Sequence, residues 1–260
     1  MDQVHFDGSV PEAYHRYFQP LVFDPFAGWF ASRICESNPS RILELACGTG
    51  SLTTELVGVC TGEIVATDLQ PGMIELARCA LERSAIAFEV ADAQKLPYAE
   101  ALFDSVACQF GYMFIPDKAQ ALREAKRVLA PDAMLHLLVW RPLEENEVSH
   151  IARDVIVPFL PEGTPRPFDG PFGFSGEVEF ALALKTAGFR DFSFEVVNVK
   201  GGDSDPQSAA RAFCRGTPIS QDLGERTNEA EIALTQAYRH RFGPIISDHT
   251  LSALYVKARN

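Results

Sequence analysis

Several features are scarce or missing in this chain. No apolar run approaches the roughly 20 residues that a membrane-spanning helix requires, and the N-terminal MDQVHFDGSVPEAYHRYF lacks the basic-then-apolar order of a secretory signal. Positive charge is in short supply, with 23 Lys and Arg against 35 Asp and Glu in 260 residues, a formal net charge of −12. Binding along a nucleic-acid backbone rests on clustered Lys and Arg, so neither nucleic acid nor an anionic membrane surface is an expected partner. The compartment these absences leave is the cytoplasm. Cys35, Cys47, Cys60, Cys79, Cys108 and Cys214 form no C-x-x-C pair and have no histidine at ligand spacing. Free, partly buried thiols are therefore expected, with neither a zinc site nor a disulfide framework. There is no internal repeat and no low-complexity tract.

What is present is alternation. With 47% hydrophobic residues, the chain has material for one large α/β domain, or for a smaller domain with an appendage. Residues 25–37 read as an amphipathic helix. Strands follow at 41–46, 63–69, 86–92, 105–112 and 134–140, with helices at 50–60, 72–84 and 118–130, the last ended by Pro131. Most of these strands are largely apolar, as expected of a parallel sheet covered by helices on both faces. The texture changes after Trp140, where 141–174 holds six prolines and several phenylalanines and reads as one long irregular segment. A helix at 175–188, a strand at 190–200, helices at 206–216 and 225–241, and a closing strand at 251–259 complete the pattern.

The first strand runs into Glu44-Leu45-Ala46-Cys47-Gly48-Thr49-Gly50-Ser51. Glycines at a strand-to-helix junction let backbone approach a ligand closely, and the following helix N-terminus offers unpaired N–H groups to an anionic one. Asp68, at the end of the second strand and 20 residues after Gly48, stands where an acid holds a ribose diol in open α/β sheets. Its other reading is a cap for the helix beginning near Gly72. A nicotinamide-type G-x-G-x-x-G would place a third glycine at position 53, which is Thr53. Glu44, an acid inside an apolar strand, needs a partner or a hydrogen-bond network and suits a ligand ammonium. A nucleoside with an amino-acid tail meets these demands better than a dinucleotide does.

The runs ILELACGTGSLT, IVATDLQPGMIELA, FEVADAQKLPY and FDSVACQFGYMFIPDKAQALREAKRVLAPDAMLHLLVW, in that order and at that spacing, resemble the class I S-adenosylmethionine-dependent methyltransferases. Within them the resemblance is closest to the small-molecule branch that includes the ubiquinone/menaquinone-biosynthesis type, and it covers about residues 10–140. It implies a Rossmann-like α/β fold with a seven-stranded, mostly parallel sheet and an antiparallel last strand. Residues 1–140 would be the cofactor-binding core of a single domain, 141–250 a lid of helices and loops over the substrate, and 251–260 the closing strand. The cofactor implied is S-adenosyl-L-methionine, with S-adenosyl-L-homocysteine as product and no metal.

By the same resemblance Glu44, Ala46, Gly48 and Gly50 line the methionine part and adenosine, with Ala46 standing where glycine is commoner. Asp68 pairs with the ribose hydroxyls. Leu69 and Met73 pack on the adenine, although Met73 also fits as core. Asp92 and Ala93 read the adenine edge, and Gln109 lies near the methionine tail and sulfonium. Tyr14 resembles a tyrosine that closes over the methionine carboxylate, with His15 where aspartate is commoner next to it and Tyr17 as an equal second candidate.

Methyl transfer from a sulfonium is an in-line displacement that depends chiefly on positioning and exclusion of water. A base is optional, and His150, at the start of the region expected to border the acceptor, is the nominated one, with His15 after it. His136 reads as a core residue, and His5, His240 and His249 as surface residues. Phe159, Phe168, Phe172 and Phe174 either line an apolar acceptor pocket or tie the long segment to the sheet. The absence of an N-P-P-Y-like run after the fourth strand argues against amide or nucleobase amino groups as acceptors. The expected acceptor is a small molecule with an O, N or C nucleophile, aromatic or polyketide-like. The alternatives are a non-methylating nucleoside-binding protein on the same fold and an NAD(P)-dependent oxidoreductase, which Thr53 and the lack of a Tyr-x-x-x-Lys pair disfavour. The oligomeric state is left open.

Overall fold

A computed structural model describes residues 10–81, 86–164 and 168–260. The chain opens with α1 (Val10–Ala13), continues without a break through a π-helical stretch at Tyr14–Phe23, and runs into α2 (Asp24–Cys35). Pro20, which has no amide N–H to give, sits inside the π-helical stretch, and such widened turns favour functional positions. Then β1 (Arg41–Leu45), α3 (Ser51–Val59), β2 (Glu63–Asp68), α4 (Pro71–Ala80), β3 (Ile86–Val90), β4 (Phe103–Gln109), α5 (Lys118–Val128) and β5 (Leu129–Trp140) alternate. The helices form because apolar residues recur at helical spacing. On α5 Ala121, Leu122, Ala125 and Val128 are buried, and the Asp117 carboxylate accepts from the Gln120 N–H at its N-terminus, at 2.9 Å.

Downstream come α6 (Glu147–Ile156), α7 (Asp169–Phe172), α8 (Glu177–Ala187), β6 (Asp191–Lys200), α9 (Pro206–Arg215), α10 (Ile219–Leu223), α11 (Thr227–Phe242) and β7 (Thr250–Arg259). The seven strands form one sheet in the order β3-β2-β1-β4-β5-β7-β6. β1 to β5 pair in parallel, and β7 runs antiparallel between β5 and β6. This is the sheet expected from the sequence. The strand order reverses between β1 and β4, and in open α/β sheets that crevice, at the carboxyl ends of the strands, is where ligands bind.

Several expectations are corrected. Strand five starts at Leu129 rather than at 134, because Leu129 pairs with Phe103 and the register then shifts to place Met134 opposite Ser105. Pro131 and Asp132 (φ 63°) occupy that irregularity, so the proline interrupts a strand edge rather than marking the helix end alone. The segment 141–174 is not irregular throughout, since Val148, Ala152 and Ile156 bury one face of α6. Asn146, fully buried just before it, donates to the Ser252 carbonyl and accepts from the Ser252 N–H, pinning the segment to β7.

Cys35 and Cys60, expected as thiols, are joined in a disulfide with their Cα atoms 5.8 Å apart, linking the end of α2 to the end of α3. His249, expected at the surface, is buried, with Nε2 3.2 Å from the Gly202 carbonyl. His5 and the predicted end of the second helix at 82–84 lie outside the described residues. Among the described residues, no helix is long and apolar enough to cross a membrane.

Candidate active site

β1 leaves the sheet through a turn in which Ala46 (φ 53°), Gly48 (φ 55°) and Gly50 (φ 94°) are all left-handed. Glycine tolerates that region, and a residue with a Cβ rarely enters it. The turn is tied down by Cys47 N–H to the Thr67 carbonyl at 2.8 Å and by Gly50 N–H to the Cys47 carbonyl at 3.0 Å. α3 then starts at Ser51, whose hydroxyl donates to Asp24 at 2.6 Å.

Asp68 closes the far side. One carboxylate oxygen accepts from the Gly48 N–H at 2.9 Å, and the other accepts from the Gln70 N–H at 2.8 Å. Burial raises its pKa, and the backbone donors Gln70, Gly48 and Leu69 oppose that rise by favouring the ionised form. The capping alternative is not what forms, because α4 has Gln70 at its N-cap and no side-chain cap.

Glu44 is 1% exposed on β1, and among the described residues its side-chain donor is the Thr53 hydroxyl at 2.7 Å. Burial pushes its pKa up to about 8 against the lowering effect of Thr53. The residue that breaks the dinucleotide glycine pattern is thus the one that satisfies the buried acid. Among the described residues, no ion pair involves Glu44 or Asp68. Two buried carboxylates without a cation beside a glycine turn form a receptor for positive charge and hydroxyl donors.

The π-helical stretch covers the turn. Tyr14 stacks on Phe23 with centroids 5.4 Å apart, and a Cβ added to Gly48 would lie 3.7 Å from the Tyr14 hydroxyl. Burial, then Asp68 and Asp24, raise the pKa of that phenol. Tyr17, its rival in the sequence, instead lies under the Arg16 guanidinium in a surface pocket with Arg215 and Thr227. The Thr49 hydroxyl donates to Gln19, and both are buried. No spacing in the sequence announces this pair or the Ser51–Asp24 bond, because both join a turn to a distant helix.

Asp92 ends the β3 side, accepting from the Gln94 N–H at 2.9 Å and its side-chain amide at 3.0 Å. The Ala91 N–H donates to the Asp68 carbonyl at 3.0 Å, which ties the two acid-bearing strand ends together. Ala93 is partly buried beside Asp92, Leu69 is open at the mouth, and Met73 is buried in the core. At the end of β4 the Gln109 amide nitrogen reaches the Phe23 carbonyl and the Ser51 hydroxyl at 3.4 Å each, while its buried oxygen has no hydrogen-bond partner among the described residues.

Tyr14, Glu44, Ala46, Gly48, Gly50, Asp68 and Gln109 are therefore gathered around one turn, with Asp92, Ala93 and Leu69 on its β3 side. His150 is not gathered with them. It stands on α6 opposite the face that carries Val148, Ala152 and Ile156, 36% exposed, with Nε2 3.6 Å from Asp154. His136 is a core residue, its Nδ1 2.7 Å from the Tyr255 hydroxyl, and burial lowers its pKa to about 3. The phenylalanines of the long segment act as ties: Phe172 packs on Trp140, Phe174 on Phe180, and Phe159 under Arg226.

Comparison with known proteins agrees with this geometry. A methyltransferase-domain family model matches residues 43–137, the stretch from β1 into β5 that holds the turn, Asp68, Asp92 and Gln109. Residues 43–137 are thus similar to a methyltransferase domain. Over 140 residues the chain is 40% identical to a demethylmenaquinone methyltransferase of Deinococcus radiodurans, covering 52% of this chain and 58% of that protein. The chain thus spans a little over half the length of this curated relative. The likeness of fold extends further than the sequence match. The YcgJ protein of Bacillus subtilis superposes with a TM-score of 0.59 at 16% identity, over 90% of this chain and 97% of that one. Haemonchus contortus phosphoethanolamine N-methyltransferase 2, solved in complex with S-adenosyl-L-methionine, gives 0.61 at 14% identity over 96% and 56%.

Proposed function

We propose that the chain binds S-adenosylmethionine in the crevice between the ends of β1 and β4 and catalyses transfer of its methyl group to a small-molecule acceptor. The observation that carries the reading is the pair of buried, cation-free carboxylates, Glu44 and Asp68, on either side of the glycine turn. The unpartnered Gln109 oxygen adds an acceptor at the same place, so the residues present fit a cationic nucleoside. When bound, the cofactor supplies a methyl group activated by a sulfonium.

The chain's own residues bind and orient. Each Asp68 oxygen is left with lone-pair capacity beyond its backbone bond and suits a ribose diol, and Asp92 suits an adenine amino group. Glu44 and Gln109 suit the amino-acid tail, and Tyr14 with the π-helical stretch keeps water from the turn. Positioning of this kind removes a large part of a displacement barrier. The relative that acts on demethylmenaquinone favours an aromatic acceptor with a C or O nucleophile.

Calorimetry with S-adenosylhomocysteine and with NAD tests the cofactor, and tight binding of NAD alone overturns the reading. Transfer of a labelled methyl group to a panel of phenols, naphthols, amines and thiols tests the reaction, and cofactor binding without transfer to any of them points to a non-methylating nucleoside-binding protein. His150→Ala is expected to leave kcat/KM within about twofold, since its outward placement gives it no proton to take. Loss of a true general base would cost on the order of a hundredfold or more, and a loss of that size would restore His150 to the site.

A further inference from the structure

β1 and β4 are neighbours, and each leaves the sheet through a non-glycine residue in the left-handed region, Ala46 at φ 53° and Phe110 at φ 54°. Phe110 is held there from several sides. Its ring stacks on Trp140 with centroids 3.9 Å apart and meets Phe26 edge-on at 5.1 Å, and its N–H donates to the Leu138 carbonyl at 2.8 Å. The next residue, Gly111, has φ −101°, which any amino acid adopts, so its backbone does not explain the glycine. Space does. A Cβ at Gly111 would lie 2.3 Å from the Ala46 Cβ and 3.1 Å from the Cys108 sulfur. The first distance is impossible without moving one loop, because the Ala46 methyl belongs to a turn already fixed by the Cys47 and Gly48 N–H bonds.

We propose that Gly111 is a positioning residue for the glycine turn: its missing side chain makes room for the Ala46 methyl, and the Ala46–Gly111 contact sets the gap between the β1 and β4 loops. Ala46 stands one residue before Cys47-Gly48 and two after Glu44, so a shift there moves the Gly48 N–H off Asp68. On the Gly111 side the shift is carried through Phe110 to Gln109. That the gap holds the cofactor rests on the functional reading above; the contact itself does not.

The test is a cycle of Ala46→Gly, Gly111→Ala and the double variant, read by thermal unfolding and by S-adenosylhomocysteine binding. Gly111→Ala alone is expected to lower Tm and to weaken binding at least tenfold, and Ala46→Gly in the same chain to recover most of both. Equal costs of Gly111→Ala in the two backgrounds overturn the proposal. Coupling in Tm with unchanged binding also overturns it, because the contact would then be structural only. If the unmodified chain binds no S-adenosylhomocysteine, the functional reading fails, while additive or non-additive Tm values still decide the contact. Should neither Gly111→Ala protein fold, Ala46→Gly alone is expected to speed amide exchange at Phe110 to Tyr112, and unchanged exchange there overturns the pairing.

Discussion

Asp68→Ala is expected to raise the dissociation constant for S-adenosylhomocysteine by roughly a hundredfold or more. A sheltered carboxylate accepting from two hydroxyls makes charge-assisted bonds worth about 1.5–3 kcal/mol each, and about 1.4 kcal/mol is a factor of ten. Here the loss has a second source. The carboxylate also holds the Gly48 and Gln70 N–H groups at 2.9 and 2.8 Å, so removing it leaves two donors unpaired and lets the turn drift. Calorimetry on a variant shown by circular dichroism to be folded checks the figure. An unchanged dissociation constant would mean that the ribose lies elsewhere.

Glu44→Gln is expected to remove a pH dependence rather than only to weaken binding. Burial holds Glu44 near a pKa of about 8 against an ordinary 4.5, so at neutral pH the ligand-free protein carries it mostly protonated. An ammonium placed beside it favours the ionised form, and binding therefore releases a proton. Affinity should rise as pH increases toward 8, by at most about tenfold per unit for one proton, and level off above it.

The ligand-free protein behaves in the opposite sense. With the folded pKa above the unfolded one, the contribution of Glu44 is fully present below about 4.5 and is lost as pH rises through about 8. The glutamine variant should thus bind more weakly, with a flatter pH profile, and melt higher than the unmodified chain at pH 8.5 when no ligand is present. Calorimetry in buffers of different ionisation enthalpy counts the protons. No proton release by the unmodified chain would show that Glu44 does not face the ligand's charge.

The parts of this site that lie within one strand-turn-helix unit were readable from residue order. Glycines at 48 and 50, an acid at 68 and an acid at 92 fall at strand ends because the period of the pattern places those ends. Thr53 was readable only as a missing glycine, and its bond to Glu44 becomes visible once α3 lies against β1. Contacts between units left no trace in spacing: Gln19 on Thr49, Asp24 on Ser51, the methyl of Ala46 over Gly111, and the bridge from Cys35 to Cys60. The outward placement of His150 has the same origin. The segment just after strand five is helical, and the apolar residues at 148, 152 and 156 turn the imidazole outward.

The π-helical cover over the turn is one continuous piece with α2, and the far end of α2 is bonded to α3 through Cys35–Cys60. The cover is therefore a cantilever, clamped at its carboxyl end and carried along its length by Gln19 on Thr49 and by the Gly202 N–H on the Leu21 carbonyl. Opening from the amino-terminal side would first break the packing of buried Val10 and Pro11, and would lift Tyr14 from Gly48 before Phe23 moves. Amide exchange in the ligand-free protein should fall steadily from Val10 toward Phe23, and a flat profile would show that the whole piece lifts as one.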